Sequence, residues 1–181
     1  PRTVYTMLLT LYSTGLRAGE VSRLLVGDVD LEACTLLVRD TKFFKTRIVP
    51  FSASLAAALQ DYLEARSALA TADRQASFFI NRYCRAYAPK QLSHRFRLLL
   101  KTVGIKARPG ARGPRLHDVR RTFAVHRLLR WYRLGVDVQA KLPLLATYMG
   151  HSDVLATHVY LDATVELAGQ EAAGHGDSGD V

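Results

Sequence analysis

Four short segments of this sequence carry side chains that could together act on an anionic centre. In STGLRAGEVSRL, Arg17 and Glu20 stand three residues apart, so a helix would present both on one face. DTKFFKTRIVP sets Lys42 and Lys45 on either side of two phenylalanines. RLHDVRRTFA gives His117 and Arg120 the same i, i+3 relation, and YMGHSDVLATHVY puts His151 ahead of a helix with Tyr160 about two turns along it. Displacement at a phosphodiester builds negative charge on the non-bridging oxygens, and fixed guanidinium and imidazole donors stabilise that charge without a metal. A tyrosine of ordinary pKa, about 10, is a poor nucleophile but a tolerable leaving group, so a bond made through it can be unmade. A lysine on a flexible turn can supply the proton that a departing alkoxide needs.

The charge distribution points to the same kind of substrate. The net charge is +9, and residues 82–133 hold fifteen Lys or Arg against the single acid Asp118. Residues 1–81 are nearly balanced, with nine against eight, and residues 134–181 are acidic, with one against seven. Such a stretch repels itself unless a polyanion lies nearby, which is the electrostatic footprint of nucleic-acid binding. Arginine outnumbers lysine there by twelve to three, a bias that suits the paired oxygens of phosphate.

The elements that must position these residues can be read from periodicity. TVYTMLLTLYSTG predicts a helix stopped at Gly15, and EVSRLLV a short second helix. TLLVRD and RIVPF predict antiparallel strands joined by the lysine-bearing turn, with SFFI as a third short strand. Between them SASLAAALQDYLEARSAL predicts a helix capped by Ser52 or Ser54. PKQLSHRFRLLLKTVG predicts a helix opened by Pro89, and HDVRRTFAVHRLLRWYRLG and VQAKLPLLATYMG predict two more, with Pro143 marking a start or kink. Ser152 would cap a last helix, DVLATHVYLDATVELA, and the Gly-rich acidic tail past Ala168 is expected to be mobile.

The ordered set of residues resembles the tyrosine recombinases, or phage-type integrases, which include the Xer proteins. The resemblance runs from about Thr14 to Tyr160. It rests on the T-G-L-R-x-x-E box, the K-x-x-K-x-R-x-V-P hairpin, H-D-x-R-x-T-F-A, and G-H-S with a tyrosine nine residues after the histidine. It implies an α+β, mainly helical catalytic domain with a small three-stranded antiparallel sheet. It also implies a site-specific recombinase that breaks and rejoins double-stranded DNA through a 3′-phosphotyrosine intermediate. Carried over by position, it makes Arg17 and Arg120 the phosphate-clamping pair and His117 and His151 the assisting histidines. Tyr160 becomes the nucleophile and Glu20 a supporting acid. Lys42 becomes the general acid in preference to Lys45, because it lies eight residues before Pro50. Lys45, Arg47, Arg115 and Arg121 are the further DNA-binding candidates.

The resemblance also sets the expected organisation. Residues 1–168 would form the catalytic domain and residues 169–181 a mobile tail. The N-terminal core-binding domain that usually precedes the first arginine box would be absent. Full-length relatives work with other protomers in a tetrameric synapse, and TVELAGQEAA could dock on a neighbour. The interval between Arg120 and His151 looks long, which makes WYRLGVDVQAK an expected insertion lying in a loop.

Several classes are disfavoured by composition. No apolar run approaches a membrane span and no leader is recognisable, so a cytoplasmic location is expected. Cys34 and Cys84 lack a metal-ligand or C-x-x-C pattern and read as free, packed thiols. Without an H-x-x-x-H helix or carboxylates near the histidines, no metal site or cofactor is expected. Of the eight tyrosines, Tyr5, Tyr12, Tyr62 and Tyr132 read as core or surface and Tyr148 as core filler. His94, His126, His158 and His175 carry no motif. A DNA-binding module without catalysis and a type IB topoisomerase are the rival readings. The complete residue set disfavours the first, and the T-G-L-R box and G-H-S segment disfavour the second.

The two lysines can be separated by chemistry. Replacing the bridging 5′-oxygen of the DNA by sulfur gives a leaving group that departs unprotonated. Cleavage by Lys42→Ala should be slow on ordinary DNA and largely restored on the sulfur substrate, whereas Arg17→Ala should not be restored. Rescue of Lys45→Ala with Lys42→Ala still impaired would exchange their roles.

Overall fold

The structure, a computed structural model, describes residues 2–39, 46–67, 73–105, 113–151 and 160. Among these, six helices and three short strands follow in order. They are α1 (Arg2–Thr14), α2 (Ala18–Arg23), β1 (Val29–Asp30), β2 (Thr35–Val38), β3 (Arg47–Pro50), α3 (Ala53–Ser67), α4 (Pro89–Thr102), α5 (Leu116–Arg133) and α6 (Val138–Met149). The class is therefore α+β and mainly helical, as expected. Lys42, Lys45, the tail and the last predicted helix, apart from Tyr160, lie outside the described residues. The chain forms two compact units, 1–120 and 121–181, whose boundary falls within α5. No helix among the described residues is long and apolar enough to cross a membrane.

In the first unit, α1 packs on α3 and α2. It buries Val4, Met7 and Leu11 together with three threonines, Thr6, Thr10 and Thr14. Each threonine hydroxyl donates to the carbonyl four residues back, at 3.1, 2.8 and 2.6 Å, so its oxygen is satisfied locally and its methyl can join the core. Gly15 then stops the helix with φ 63°, a conformation that a residue without Cβ adopts at no steric cost.

The sheet has the order β1-β2-β3 and is antiparallel throughout. Leu36 pairs with Val49, and both are fully buried, as is Val38, so alternate residues of β2 face the core. Ser52 caps α3, its Oγ accepting from the Leu55 amide at 3.4 Å. Pro89 stands at the first turn of α4 as predicted.

Four expectations are corrected. The third strand is Val29–Asp30, not SFFI. Phe78 and Phe79 are both fully buried, so the segment does not alternate, and its backbone is held by isolated bridges, Leu25 to Ser77 and Ile80 to Ala86. The buried Arg66 guanidinium completes that support by donating to the carbonyls of Phe78 at 3.1 Å and Ser77 at 3.0 Å, while the Tyr62 hydroxyl accepts from the Ile80 amide at 3.0 Å. The second helix ends at Arg23, since Leu24 turns to an extended ψ of 132° and leads into a 3₁₀ turn at Val26–Asp28. Cys84, expected to be packed, is exposed. It sits at φ 56° in a turn that Asn81 closes by accepting from the Tyr83 and Arg85 amides.

The fourth correction lies in the second unit. WYRLGVDVQAK is not a loop: α5 continues to Arg133 and α6 begins at Val138, leaving only residues 134–137 between them. Gly135 at φ 66° makes the turn, and Asp137 caps α6 by accepting from the Ala140 amide at 3.1 Å. Pro143 sits inside α6. Phe123, Ala124, Leu128, Leu142, Leu145, Met149 and Tyr160 form the core of this unit.

Arg66→Met should leave the carbonyls of Ser77 and Phe78 without these donors. We expect a loss of roughly 1–3 kcal/mol for each buried acceptor orphaned, read as a lower urea midpoint. A variant with unchanged stability would show that Arg66 does not support this segment.

Candidate active site

The first cluster is organised by one carboxylate. Arg17 follows the Gly15 turn as the extended N-cap residue of α2, with φ −74° and ψ 147°. Glu20, in the first turn, reaches back so that its Oε2 accepts from the Arg17 amide at 2.8 Å, while its Oε1 accepts from Arg17 Nη1 at 2.9 Å. This is the acidic half of a capping box, favoured by the positive end of the helix. From β3, Arg47 donates through both terminal nitrogens, Nη1 to Oε1 and Nη2 to Oε2, each at 3.1 Å. Burial pushes the Glu20 carboxyl toward the neutral form, but the hydrogen bonds and charges of Arg47 and Arg17 outweigh it and hold the group below the usual carboxylate range.

Arg120 belongs to the same unit and is almost wholly buried. Its Nη1 donates to the Gly15 carbonyl at 2.5 Å, which ties α5 to the turn two residues before Arg17. The start of α5 repeats the device seen at α2: Asp118 accepts from the Arg115 amide at 2.8 Å, and its other oxygen lies 3.7 Å from the Arg115 guanidinium. On the resulting helix His117 is exposed, as are Arg115 and Arg121.

In the second unit, Gly150 at φ 69° ends α6, and the His151 amide donates back to the Ala146 carbonyl at 2.9 Å. The His151 and Tyr160 rings lie 6.2 Å apart between centroids, tilted by 37°. Tyr160 is buried in its unit's apolar core. Tyr148, read as core filler, is half-buried and stacks on Phe123 at 5.6 Å.

The structure thus joins Arg17 and Glu20 directly, ties Arg120 to the adjacent turn, and brings His151 beside Tyr160. It places Arg47 on Glu20, a partnership the sequence reading missed. The signal was present: residues two apart on a strand share a face, and Val49 points into the core, so Arg47 points inward too and needs an acceptor there. The Gly15 carbonyl as the Arg120 acceptor had no signal in sequence, since every residue offers that group.

On this α+β scaffold, then, Arg17 and Arg47 share one carboxylate and Arg120 is bonded to a backbone carbonyl. The phage integrase family model matches residues 2–166. Among relatives, y4rB of Sinorhizobium fredii, which carries the name integrase/recombinase, is 38% identical over 92% of this chain and 54% of its own length. The tyrosine recombinase XerA of Thermococcus onnurineus is 35% identical over 88% of this chain and 51% of its own length. The crystal structure of a XerA recombinase superposes with a TM-score of 0.76 at 26% identity, covering 95% of this chain and 57% of that one. The chain belongs to the phage integrase family, and it spans about half the length of the relatives it matches.

A carboxyl whose folded-state pKa is lowered stabilises the fold above its unfolded pKa, and that contribution is lost as pH falls through the folded value. Between neutral pH and about pH 3, urea unfolding should therefore show a larger loss of stability for the wild-type chain than for Glu20→Gln. Parallel losses in the two would mean that Glu20 does not carry the acid sensitivity.

Proposed function

We propose that this chain is the catalytic domain of a site-specific DNA recombinase that breaks and rejoins strands through a 3′-phosphotyrosine intermediate, without metal or cofactor. One observation carries the reading. Arg17 and Arg120 are held by groups of the protein itself, so their donors need no reorganisation when charge develops on a phosphoryl group. The family membership and the names of the relatives support it.

In this reading Tyr160 gives up its phenolic proton to water as Oη attacks phosphorus, the bond to the 5′-oxygen breaks, and Lys42 gives that oxygen a proton, regaining one from solvent. Arg17, Arg120, His117 and His151 stabilise the charge on the non-bridging oxygens, and Glu20 orients Arg17. The liberated 5′-hydroxyl, or that of another strand, then attacks the phosphotyrosine and restores a phosphodiester. The duplex would be gripped by exposed basic side chains. On α4, Lys90, His94, Arg97 and Lys101 recur at i, i+4, i+7 and i+11, which puts four exposed side chains on one face about 16 Å long. Lys45, Arg115 and Arg121 would add to that grip. Residues 1–168 form the catalytic domain in this proposal, with 169–181 as its tail. The full-length protein would work in the cytoplasm as part of a tetrameric synapse.

Tyr160→Phe tests the reading. With one hydroxyl removed and the cations retained, the variant should bind duplex DNA as the wild type does, yet form no covalent adduct on a denaturing gel. EDTA should leave wild-type adduct formation unchanged. Undiminished adduct from Tyr160→Phe would overturn the assignment. Activity lost in EDTA and restored by magnesium would place the protein in a different class.

A further inference from the structure

We infer that Arg47 is a positioning residue for the clamp arginine Arg17, acting through Glu20, rather than a contact to DNA. The inference rests on the function proposed above, and it starts from the capacity of one carboxylate. A carboxylate offers about four acceptor positions, and Glu20 receives four donors, two from Arg17 and two from Arg47. The side chains are 2% exposed for Glu20, 14% for Arg47 and 36% for Arg17, so the pair farther from solvent is Arg47 with Glu20. Arg47 holds the carboxylate with a parallel fork, a geometry that guanidinium supplies and ammonium does not.

That fork limits what Glu20 can take from Arg17. With both oxygens engaged by Arg47, Glu20 accepts from Arg17 only the backbone amide and one terminal nitrogen. If Arg47 is removed, a buried carboxylate is left with two open acceptor positions, which the Arg17 guanidinium, already bonded to Oε1, can fill. Arg17 would then turn onto Glu20, neutralise it, and lose the orientation that suits a phosphoryl oxygen. Arg47 also opens β3 at the rung where it pairs with Val38, so the same contact fixes that end of the sheet to the start of α2.

The test measures covalent adduct formed by the full chain on a nicked duplex, with affinity and its salt dependence titrated separately. Arg47→Ala should slow the cleavage step on the order of 10²-fold, the size of effect a misplacement of about 1 Å produces. Affinity and its salt slope should hardly change. Arg47→Lys keeps the charge without the fork and should be impaired nearly as much; it also serves if the alanine variant does not fold. In an Arg17→Ala background, loss of Arg47 should cost little more, because the two act as one unit. Fully additive losses, or a weaker affinity with a salt slope lower by about one phosphate contact, would overturn the inference in favour of direct DNA contact. A crystal structure of Arg47→Lys gives a readout independent of activity. Both terminal nitrogens of Arg17 should lie on Glu20, and an Arg17 left in place would refute the inference even if the chain proved not to cleave DNA at all. Failure of the wild type to form any Tyr160-dependent adduct would instead count against the functional reading.

Discussion

A carboxylate taken out of water costs several kcal/mol unless charge and hydrogen bonds return it, and the Glu20 site is arranged around meeting that cost. Four donors converge on its two oxygens, three from guanidinium nitrogens and one from the backbone at the start of α2. Because the donors come from α2 and from β3, satisfying one buried charge also fixes a helix terminus and joins the sheet to it. Asp28 repeats the arrangement on a smaller scale, accepting from the Leu25 amide at 3.0 Å and from the Arg39 guanidinium at 2.6 Å. Breaking either arrangement from one side leaves a buried carboxylate short of a charged donor.

The same local device starts three of the helices. Glu20 reaches back to the Arg17 amide, Asp118 to that of Arg115, and Gln91 to that of Ala88, each at a three-residue separation. At α5 the consequence is specific. Asp118 is the lone acid between residues 82 and 133, and its place is explained by the orphan amides of a helix start rather than by charge balance in the stretch. Fixing where α5 begins fixes its phase, and with it an exposed His117 and a buried Arg120 three residues later.

Much of this was readable from the sequence, and the exceptions have physical reasons. Periodicity marked the helices, because burial on one face imposes it, and β-rich composition marked β2 and β3. SFFI misled because consecutive buried phenylalanines have the composition of a strand without its alternation, and a side chain, Arg66, does part of what a ladder would do. Val29–Asp30 was invisible because two residues are too short to show a period. Of the candidate site, spacing singled out Arg17 with Glu20 and His151 with Tyr160, pairs that the structure places in contact or side by side. What spacing omits is the acceptor, since the Gly15 carbonyl has no residue type of its own. Arg47 was assigned by its motif when its strand position already said that it faced inward.

The choice of acceptors has an electrostatic logic. In the proposed function a clamp arginine must be held still without being neutralised, because the anion it would serve has to find positive charge. For Arg120 one of the holding groups is a backbone carbonyl, which fixes a terminal nitrogen and itself brings no net charge. Glu20 does it for Arg17 by division, since one carboxylate shared with Arg47 leaves the three groups with a net positive charge among them. An acid dedicated to Arg17 alone would fix it equally well and cancel its charge. In that proposal, a second arginine on the same acid is what would allow a carboxylate to serve as scaffold in a site for an anion.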